Sequence, residues 1–282
     1  MKRILIAGCG YVGGRLAELL AEEGREVYGL RRSTGELPAG TRAVEADVTD
    51  PSTLDRIPGS LDGVVYAVSP AGRSDGEYRA AYVDGLRNVL EAVEGRGGPV
   101  RRVVLVSSTG VYGHTDGRWV DESTPPEPPG ATGERVLEGE GLVRRAGAAG
   151  VALRLGGIYG PGRDRTVRRV TGGEADCPGP GVYGNRIHRD DAARAIRHLL
   201  DLPEPEPLYL GVDREPAELR EVYRWIARRA GVPDPCADAP PRDDGDPAGR
   251  RGTNKRCSSD RLAASGFEWR YPTYREGYAT LL

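Results

Sequence analysis

The chain has 282 residues, a formal net charge of −2 and a pI near 6.1. This length is sufficient for one large α/β domain, or two smaller ones, with a sizeable apolar core. The balanced charge provides no basic field for nucleic acid or an anionic membrane, and the N-terminal apolar run ILIAGC is too short for a membrane span or signal peptide. We therefore expect a cytoplasmic protein that binds a small molecule, with no nucleic acid and no membrane among its partners.

The four cysteines support neither a zinc site nor a disulfide framework. Cys9, Cys177, Cys236 and Cys257 are far apart in the chain, with no CxxC pair and no histidine at ligand spacing. Secreted disulfide-rich domains and zinc modules show closer, patterned spacings. We expect reduced cysteines and a reducing compartment.

Short β-type runs alternate with amphipathic helical stretches from the N-terminus onward. The predicted strands cover residues 3–8, 26–30, 42–46, 62–68, 101–108, 151–155 and 207–212. The predicted helices cover residues 11–24, 50–57, 75–94, 133–148, 190–202 and 215–230. This alternation predicts an α/β fold, a Rossmann-type doubly wound parallel sheet with helices on both faces.

The composition of the sequence changes after about residue 156, where glycine and proline become frequent. We expect a Rossmann domain over residues 1–165, to which 185–212 returns, and a smaller C-terminal substrate-binding lobe over 166–184 and 213–282. The polar stretch at 237–252 cannot bury much apolar surface, and it is predicted to be a mobile loop.

A glycine-rich segment, GCGYVG, follows the first strand and opens the first helix. Gly8 permits a tight turn, Gly10 lets the backbone approach a pyrophosphate, and Gly13 allows close contact between helix and strand. Tyr11 and Val12 complete the segment, at a helix N-terminus whose N–H groups and dipole favour an anion. GxGxxG alone is a weak signal, but this position inside a βαβ unit predicts a dinucleotide site; the alternative is a glycine-rich turn without a ligand.

The end of the second strand indicates which dinucleotide is bound. NAD-binding proteins carry an acidic residue there, which holds the ribose 2′-hydroxyl. This chain has Arg31, Arg32 and Ser33 instead. Two guanidinium groups and a hydroxyl suit a 2′-phosphate, so NADP(H) is favoured over NAD(H). The alternative is a solvated strand end.

Several further segments resemble the extended branch of the short-chain dehydrogenase/reductase superfamily, the NAD-dependent epimerase/dehydratase type. They are ADVTD (46–50), VYAVSP (65–70), GLRNVLEAV (85–93), VVLVSSTGVYG (103–113), LRLGGIYGPG (153–162) and NRIHRDDAARA (185–195). The STGVYG and NRIHRDD blocks and the ending NKRCSSDRLAASGF…YPTYREGY resemble its atypical YeeZ-like subgroup.

The resemblance implies roles for individual residues of the cofactor site. Asp47 and Val48 should contact the adenine, and Ala67, Val68 and Ser69 should line the nicotinamide ribose. The resemblance also implies a homodimer, formed by the helices at 75–94 and 133–148.

The catalytic YxxxK pair of the family is missing from GATGERVLEGEGL (130–142). When Glu140 is aligned with the family's glutamate, Thr132 takes the tyrosine position and Val136 the lysine position. None of the thirteen tyrosines has a lysine four residues later. The family's active-site asparagine is also replaced, by Tyr82.

Four residues remain as catalytic candidates, each with a structural alternative. Ser108 falls where the family's catalytic Ser/Thr sits, at the carboxyl edge of the sheet, but it could cap a turn. Tyr82 could supply a proton, or pack on its helix with Tyr78. Thr132, with Arg135 beside it, is the third site; Arg135 could hold an anion, or form a surface charge pair.

The candidates for substrate contact are Tyr112, Tyr159, Arg186 and His188. Arg186 resembles the arginine that meets a nucleotide-sugar phosphate in relatives, although it could be an inter-lobe charge. His188 precedes an acidic helix start, where Asp190 or Asp191 could serve as the N-cap, so a structural role is the alternative.

Two functions from different classes follow. The first is an NADP(H)-binding oxidoreductase or epimerase that acts on a small or sugar-like carbonyl or hydroxyl compound. The second is a non-catalytic dinucleotide-binding sensor or scaffold, which the missing YxxxK pair favours. A redox-neutral lyase or isomerase is a third, weaker hypothesis.

Overall fold

The computed structural model describes residues 1–33, 35, 37–145, 149–237 and 253–282. The predicted mobile loop at 237–252 therefore lies, beyond its first residue, outside the described residues. The last three residues of the helix predicted over 133–148 lie outside them as well.

A seven-stranded sheet forms the centre of the fold. Its strands are β1 (Arg3–Ala7), β2 (Glu26–Arg31), β3 (Thr41–Glu45), β4 (Gly63–Tyr66), β5 (Arg102–Ser108), β7 (Ala149–Leu155) and β10 (Leu208–Gly211). They are arranged in the order β10-β7-β5-β4-β1-β2-β3, and β1 to β5 pair in parallel. The predicted doubly wound α/β fold is confirmed.

Two short parallel pairs lie outside this sheet. Strand β6 (Trp119–Val120) pairs with β11 (Arg256–Cys257), and β8 (Gly157–Tyr159) pairs with β9 (Arg186–His188). With two or three residues each, these strands carry no alternation that the sequence could reveal.

The α-helices up to α7 fall between strands, as a βαβ arrangement requires, and the last two follow the final strand. They are α1 (Tyr11–Glu22), α2 (Asp75–Arg79), α3 (Gly85–Gly97), α4 (Ala131–Arg145), α5 (Arg165–Thr171), α6 (Arg189–Asp201), α7 (Leu219–Ala230), α8 (Asp260–Ala264) and α9 (Tyr274–Ala279). The helix expected at 50–57 is a 3₁₀ helix, Pro51–Arg56. The long helix expected at 75–94 is interrupted by a π-helical turn, Ala80–Asp84.

The chain divides into two compact units, each made of several segments. Unit 1 consists of Met1–Val111, Gly130–Arg154 and Ala192–Tyr209, and unit 2 of Tyr112–Pro129, Leu155–Asp191 and Leu210–Leu282. Strand β1 is central in the sheet of unit 1, and Ile4, Leu5 and Ile6 are fully buried there. Burial on both faces explains why its sequence reads as a continuous apolar run.

Unit 2 has its own core, built around α5, α7 and α9. Its buried members are Tyr159, Val167, Val170, Ala217, Val222, Tyr223, Ile226, Ala227, Tyr274 and Tyr278. Helix α7 buries one apolar stripe because Leu219, Val222, Tyr223 and Ile226 recur at helical spacing.

The expectation that all four cysteines are reduced is wrong for two of them. Cys177 and Cys236 form a disulfide, with their Cα atoms 5.1 Å apart, whereas Cys9 and Cys257 are buried free thiols. The bonded residues are 59 positions apart, so the spacing along the chain did not indicate that the fold would bring them together. The expectation of a reducing compartment was based on unpaired cysteines, so the disulfide removes that reason for it.

No helix in the described ranges combines the length and the apolar character needed to cross a bilayer.

Candidate functional site

The glycine-rich turn of unit 1 is built as its sequence predicts. Gly8 has a φ of +89°, and a Cβ atom there would lie 2.5 Å from the carbonyl carbon and oxygen of Ala67. A Cβ on Gly13 would lie 2.4 Å from the carbonyl oxygen of Gly8. Both positions therefore require glycine, the first for its dihedral angle and close approach, the second for the packing of α1 on β1.

Gly10 differs from its two neighbours, because nothing lies within 4 Å of the position its Cβ would take. It is exposed and immediately precedes α1, which has no side-chain cap and no acidic residue in its first turn. The helix begins with Tyr11 and Val12. Its N-terminal N–H groups are neither capped by a side chain nor faced by an acidic residue of the first turn, so an anion could bind there.

Arg31 ends β2 and Arg32 follows it, at the edge of the sheet that carries the glycine turn. Neither guanidinium forms a hydrogen bond or ion pair with any residue in the described ranges, and Arg32 and Ser33 are exposed. Neither guanidinium is therefore held by a direct contact in these ranges, and both could bind an anion.

Asp47 follows β3, and its carboxylate accepts hydrogen bonds from the backbone N–H and hydroxyl of Thr49, at 2.9 and 2.7 Å. These bonds and the nearby charge of Arg32 hold the pKa of Asp47 below its usual range, so it is ionised at neutral pH. The adjacent Val48 is buried, and its carbonyl oxygen accepts a hydrogen bond from the Asn88 side chain.

The segment Ala67–Ser69 follows β4, the neighbour of β1, where the order of the strands reverses. In doubly wound sheets the ligand crevice lies at this switch point. Ala67 donates its N–H to the carbonyl oxygen of Ala7, so the turns after β1 and β4 are held together. The structure brings this segment and the glycine turn into contact.

Ser108 is the last residue of β5, and its hydroxyl oxygen accepts a hydrogen bond from the N–H of Gly110 at 3.0 Å. The turn-capping alternative is thus realised. The hydroxyl hydrogen is left to donate, so capping does not remove Ser108 from the candidates.

A buried ionic network that the sequence did not predict lies next to Ser108. Glu140 on α4 accepts two hydrogen bonds from the Arg154 guanidinium, at 2.8 and 2.7 Å, and one from the Ser107 hydroxyl at 2.6 Å. The Arg154 and Glu140 side chains are 4% and 5% exposed. The network ties α4 to β5 and β7.

Thr132 and Arg135 lie in the first turns of α4. Arg135 is bound to Asp75 on α2 at 2.9 Å and to Glu138 at 3.0 Å. Its charge is therefore compensated by carboxylates on two helices, which agrees with the alternative that Arg135 forms a charge pair. Val136, at the family's lysine position, is buried in the core.

Tyr82 lies in the π-helical turn that interrupts the long helix. It stacks on Tyr78 with ring centroids 5.8 Å apart, and its carbonyl oxygen packs against Gly139 of α4. Burial raises the pKa of Tyr82 to about 12, so the phenol is neutral at physiological pH. π-Turns are frequent at functional sites.

The four substrate candidates all fall in unit 2, and the phenol of Tyr112 is committed. Tyr112 is fully buried and donates to the carbonyl oxygen of Asp121 at 2.8 Å. The expectation that Asp190 or Asp191 is the helix N-cap is wrong, because α6 begins at Arg189 and both lie in its first turn. Asp191 instead accepts the backbone N–H groups of Arg270 and Tyr271 and so anchors the C-terminal segment.

The other three candidates lie together on the β8–β9 pair. Tyr159 is opposite His188 in the register, and their rings meet edge to face at 5.4 Å. Arg186 lies on the same face of β9 as His188. Asp213, which sequence reasoning missed, donates its backbone N–H to the carbonyl oxygen of Arg186 at 2.6 Å. The available signal was an acid two positions after the strand LYLG.

Comparison with known proteins agrees with the fold. Residues 4–209 match the model of the NAD dependent epimerase/dehydratase family. Protein YeeZ of Escherichia coli (strain K12) is 29% identical over 247 residues, which cover 83% of this chain and 86% of that protein.

Two solved structures share the fold over nearly their whole length. A candidate NAD-dependent epimerase/dehydratase from Methylobacillus flagellatus is 41% identical, with a TM-score of 0.82 over 99% of this chain and 97% of the other. MoeE5, solved in complex with UDP-glucuronic acid and NAD, is 25% identical, with a TM-score of 0.77 over 99% and 97%. The resemblance drawn from the motifs is confirmed, and the chain belongs to the NAD dependent epimerase/dehydratase family.

Proposed function

We propose that this protein is an NADP(H)-dependent oxidoreductase or epimerase that acts on a small or sugar-like carbonyl or hydroxyl compound. The observation that carries the proposal is the open glycine turn beside Arg31 and Arg32, whose guanidinium groups form no hydrogen bond or ion pair with the part of the chain that the structure describes. A nicotinamide cofactor, when bound, supplies or accepts a hydride. MoeE5, solved with UDP-glucuronic acid and NAD, supports a nicotinamide dinucleotide and a sugar-like substrate, whereas the preference for NADP(H) rests on Arg31 and Arg32.

In this proposal unit 1 holds the cofactor. The N-terminal turn of α1 receives the pyrophosphate, with Gly8, Gly10 and Gly13 allowing its approach. Arg31, Arg32 and Ser33 bind the 2′-phosphate, Asp47 and Val48 contact the adenine, and Ala67 to Ser69 line the nicotinamide ribose.

Ser108 orients the substrate oxygen in this proposal, since its hydroxyl hydrogen is left to donate. Tyr82 is the proton donor, because its neutral phenol lies on the turn packed against α4. We assign Arg135 to holding α2 against α4, and Thr132 to the edge of the site. The protein is proposed to act as a cytoplasmic homodimer with substrate contacts in unit 2.

The cofactor preference is tested by titrating the protein with NADPH and NADH. We expect NADPH to bind more tightly, and the Arg31→Ala/Arg32→Ala variant to lose about tenfold or more in NADPH affinity, with little change for NADH. Arg101→Ala is the control, because it removes an exposed arginine at the amino end of β5, the opposite edge of the sheet. Equal affinities for the two cofactors in the parent protein would contradict the 2′-phosphate assignment.

The catalytic assignment is tested by a screen of carbonyl compounds, followed by NADPH oxidation. We expect Ser108→Ala to lose about a hundredfold or more in kcat while NADPH binding is retained, because a positioned hydroxyl acts mainly in the transition state. Ser123→Ala, which removes an exposed hydroxyl in a loop of unit 2, is the control. Unchanged turnover in Ser108→Ala would refute the role of this residue.

A non-catalytic sensor is the second candidate function, and the burial of Val136 favours it. With an apolar core residue at the lysine position, no cation can lower the pKa of a neighbouring proton donor there. Tight NADPH binding, no reduction of any carbonyl compound, and a partner affinity that changes with NADPH would favour this function over catalysis.

A further inference from the structure

Asp213 of unit 2 is a buried acid that the proposed function does not use. It follows β10 and is 2% exposed, and its Oδ1 atom accepts the backbone N–H of Glu215 at 3.3 Å. Its Oδ2 atom is buried and has no hydrogen-bond partner in the described ranges. A carboxyl group in this condition is costly unless something else completes its bonding.

Arg186, beside Asp213, is also a buried charged residue with unsatisfied polar atoms in the described ranges. Its side chain is buried, and neither terminal nitrogen has a hydrogen-bond partner among the residues described. The guanidinium lies 5.5 Å from the ring centre of Tyr274 and packs against Gly184, where a Cβ would come within 2.5 Å of it. Arg186 and Asp213 are adjacent through their backbones, yet their side chains form no ion pair in this part of the chain.

Two further donors complete this group, which we call the Arg186 cluster: Tyr159, Arg186, His188 and Asp213. The Tyr159 hydroxyl and the His188 Nε2 atom are also buried, with no partner in the described ranges. His188 Nδ1 accepts the N–H of Asp190, which leaves the hydrogen of the neutral ring on Nε2. Burial lowers the pKa of His188 to about 4, so the ring is a neutral donor at pH 7.

The charge of the Arg186 cluster depends on Asp213. Burial raises the pKa of Asp213 to about 7; Arg186 and the Glu215 N–H act in the opposite direction, and the carboxylates of Glu215 and Glu276 add to the rise. The charged and titratable groups that face it are thus Arg186 on β9, Tyr159 on β8, Glu276 on α9 and Glu215 in its own loop. The cluster carries one positive charge when Asp213 is protonated and none when it is ionised.

This arrangement suits an anion with one negative charge. A carboxylate is planar and can accept two parallel hydrogen bonds from a guanidinium. A doubly charged phosphate or sulfate would meet a single buried cation next to an acid, leaving a net negative charge away from water.

We propose that the Arg186 cluster is a subsite for a carboxylate group of the substrate, which binds Arg186 bidentately while Asp213 takes up a proton and donates a hydrogen bond to it. The inference rests on the proposed function, in that the substrate is taken to contact unit 2. It narrows the substrate class to carboxylic acids that also carry the carbonyl or hydroxyl to be transformed.

The test is a calorimetric titration of the NADPH-saturated protein with acetate and with sulfate between pH 6 and 8.5. Both probes keep a constant charge over this range. We expect acetate to bind more tightly than sulfate, and its Kd to rise by up to about tenfold per pH unit above the pKa of Asp213. Titrations in buffers of different ionisation enthalpy should show close to one proton taken up per acetate at pH 8.5.

Variants identify the residues responsible. Asp213→Asn keeps the shape of the protonated acid, so acetate should bind with a flat pH profile and no proton uptake. Arg186→Gln should weaken acetate binding at least tenfold at every pH, whereas Arg214→Gln, which removes a neighbouring arginine paired with Asp260, should not.

Three results would overturn the proposal: no acetate binding at pH 6, sulfate binding more tightly than acetate, or an unchanged pH profile in Asp213→Asn. NADPH binding is measured in the same samples. Failure of acetate binding with intact NADPH binding therefore counts against this subsite alone, and loss of NADPH binding counts against the proposed function.

Discussion

Gly8→Ala is expected to abolish measurable NADPH binding and to lower the stability of the fold. The residue has a φ of +89°, which costs an alanine roughly 1–2 kcal/mol. The new Cβ would also lie 2.5 Å from the carbonyl group of Ala67 and 2.6 Å from the backbone nitrogen of Val68. Relief of this overlap requires the turns after β1 and β4 to separate, and these turns form the proposed cofactor crevice.

Two other glycines separate the effects that Gly8→Ala combines. Gly24 has a φ of +74° and nothing within 4 Å of its Cβ position, so Gly24→Ala should lose about 1 kcal/mol of stability and keep its NADPH affinity. Gly10 has a negative φ and an equally open Cβ position. Gly10→Ala should therefore unfold like the parent but bind NADPH at least tenfold more weakly, because the methyl group fills the space left for the pyrophosphate.

Thermal unfolding and NADPH titration of the three variants provide the measurements. Parent-like NADPH binding by Gly10→Ala would mean that the open face before α1 does not hold the cofactor. Parent-like stability and binding in Gly8→Ala would mean that the two turns can separate without cost.

The glycine turn was predictable because its conformation depends on the local backbone alone. A glycine needed for positive φ, or for close approach, must be glycine whatever surrounds the unit, so the spacing within a predicted βαβ unit located the turn at Gly8 and Gly13. The same holds for Ser108, whose position at the carboxyl end of a predicted strand fixed its edge of the sheet.

The features that were not predicted are mostly residues whose environment is formed by segments far away in the sequence. Asp213 is one acid among 42 acidic residues, and only the position of β9 beside it shows that it is buried next to Arg186. Cys177 and Cys236 are 59 positions apart, and only the tertiary fold brings them together. The π-turn at Tyr82 leaves helical periodicity almost unchanged over one turn, so the pattern predicted a continuous helix.

Arg154→Ala is expected to destabilise the fold by about 3–5 kcal/mol, because it leaves the Glu140 carboxylate buried without its cation. The parent geometry is bidentate and both side chains are buried, so water cannot readily replace the guanidinium. Urea unfolding, monitored by tryptophan fluorescence, measures the loss. Arg144→Ala, which removes an exposed arginine of α4, is the control and should change stability by less than about 0.5 kcal/mol.

The double variant Arg154→Met/Glu140→Leu distinguishes a need for charge compensation from a need for this particular pair. Replacing both ions by apolar side chains of similar volume removes the desolvation cost together with the attraction, so the double variant should be more stable than Arg154→Ala. It also leaves the Ser107 hydroxyl without its acceptor, which costs about 1–3 kcal/mol at a buried site. If the double variant is as stable as the parent but has lost Ser108-dependent turnover, the network serves to hold the end of β5 in place. If the double variant is less stable than Arg154→Ala, the electrostatic account is contradicted.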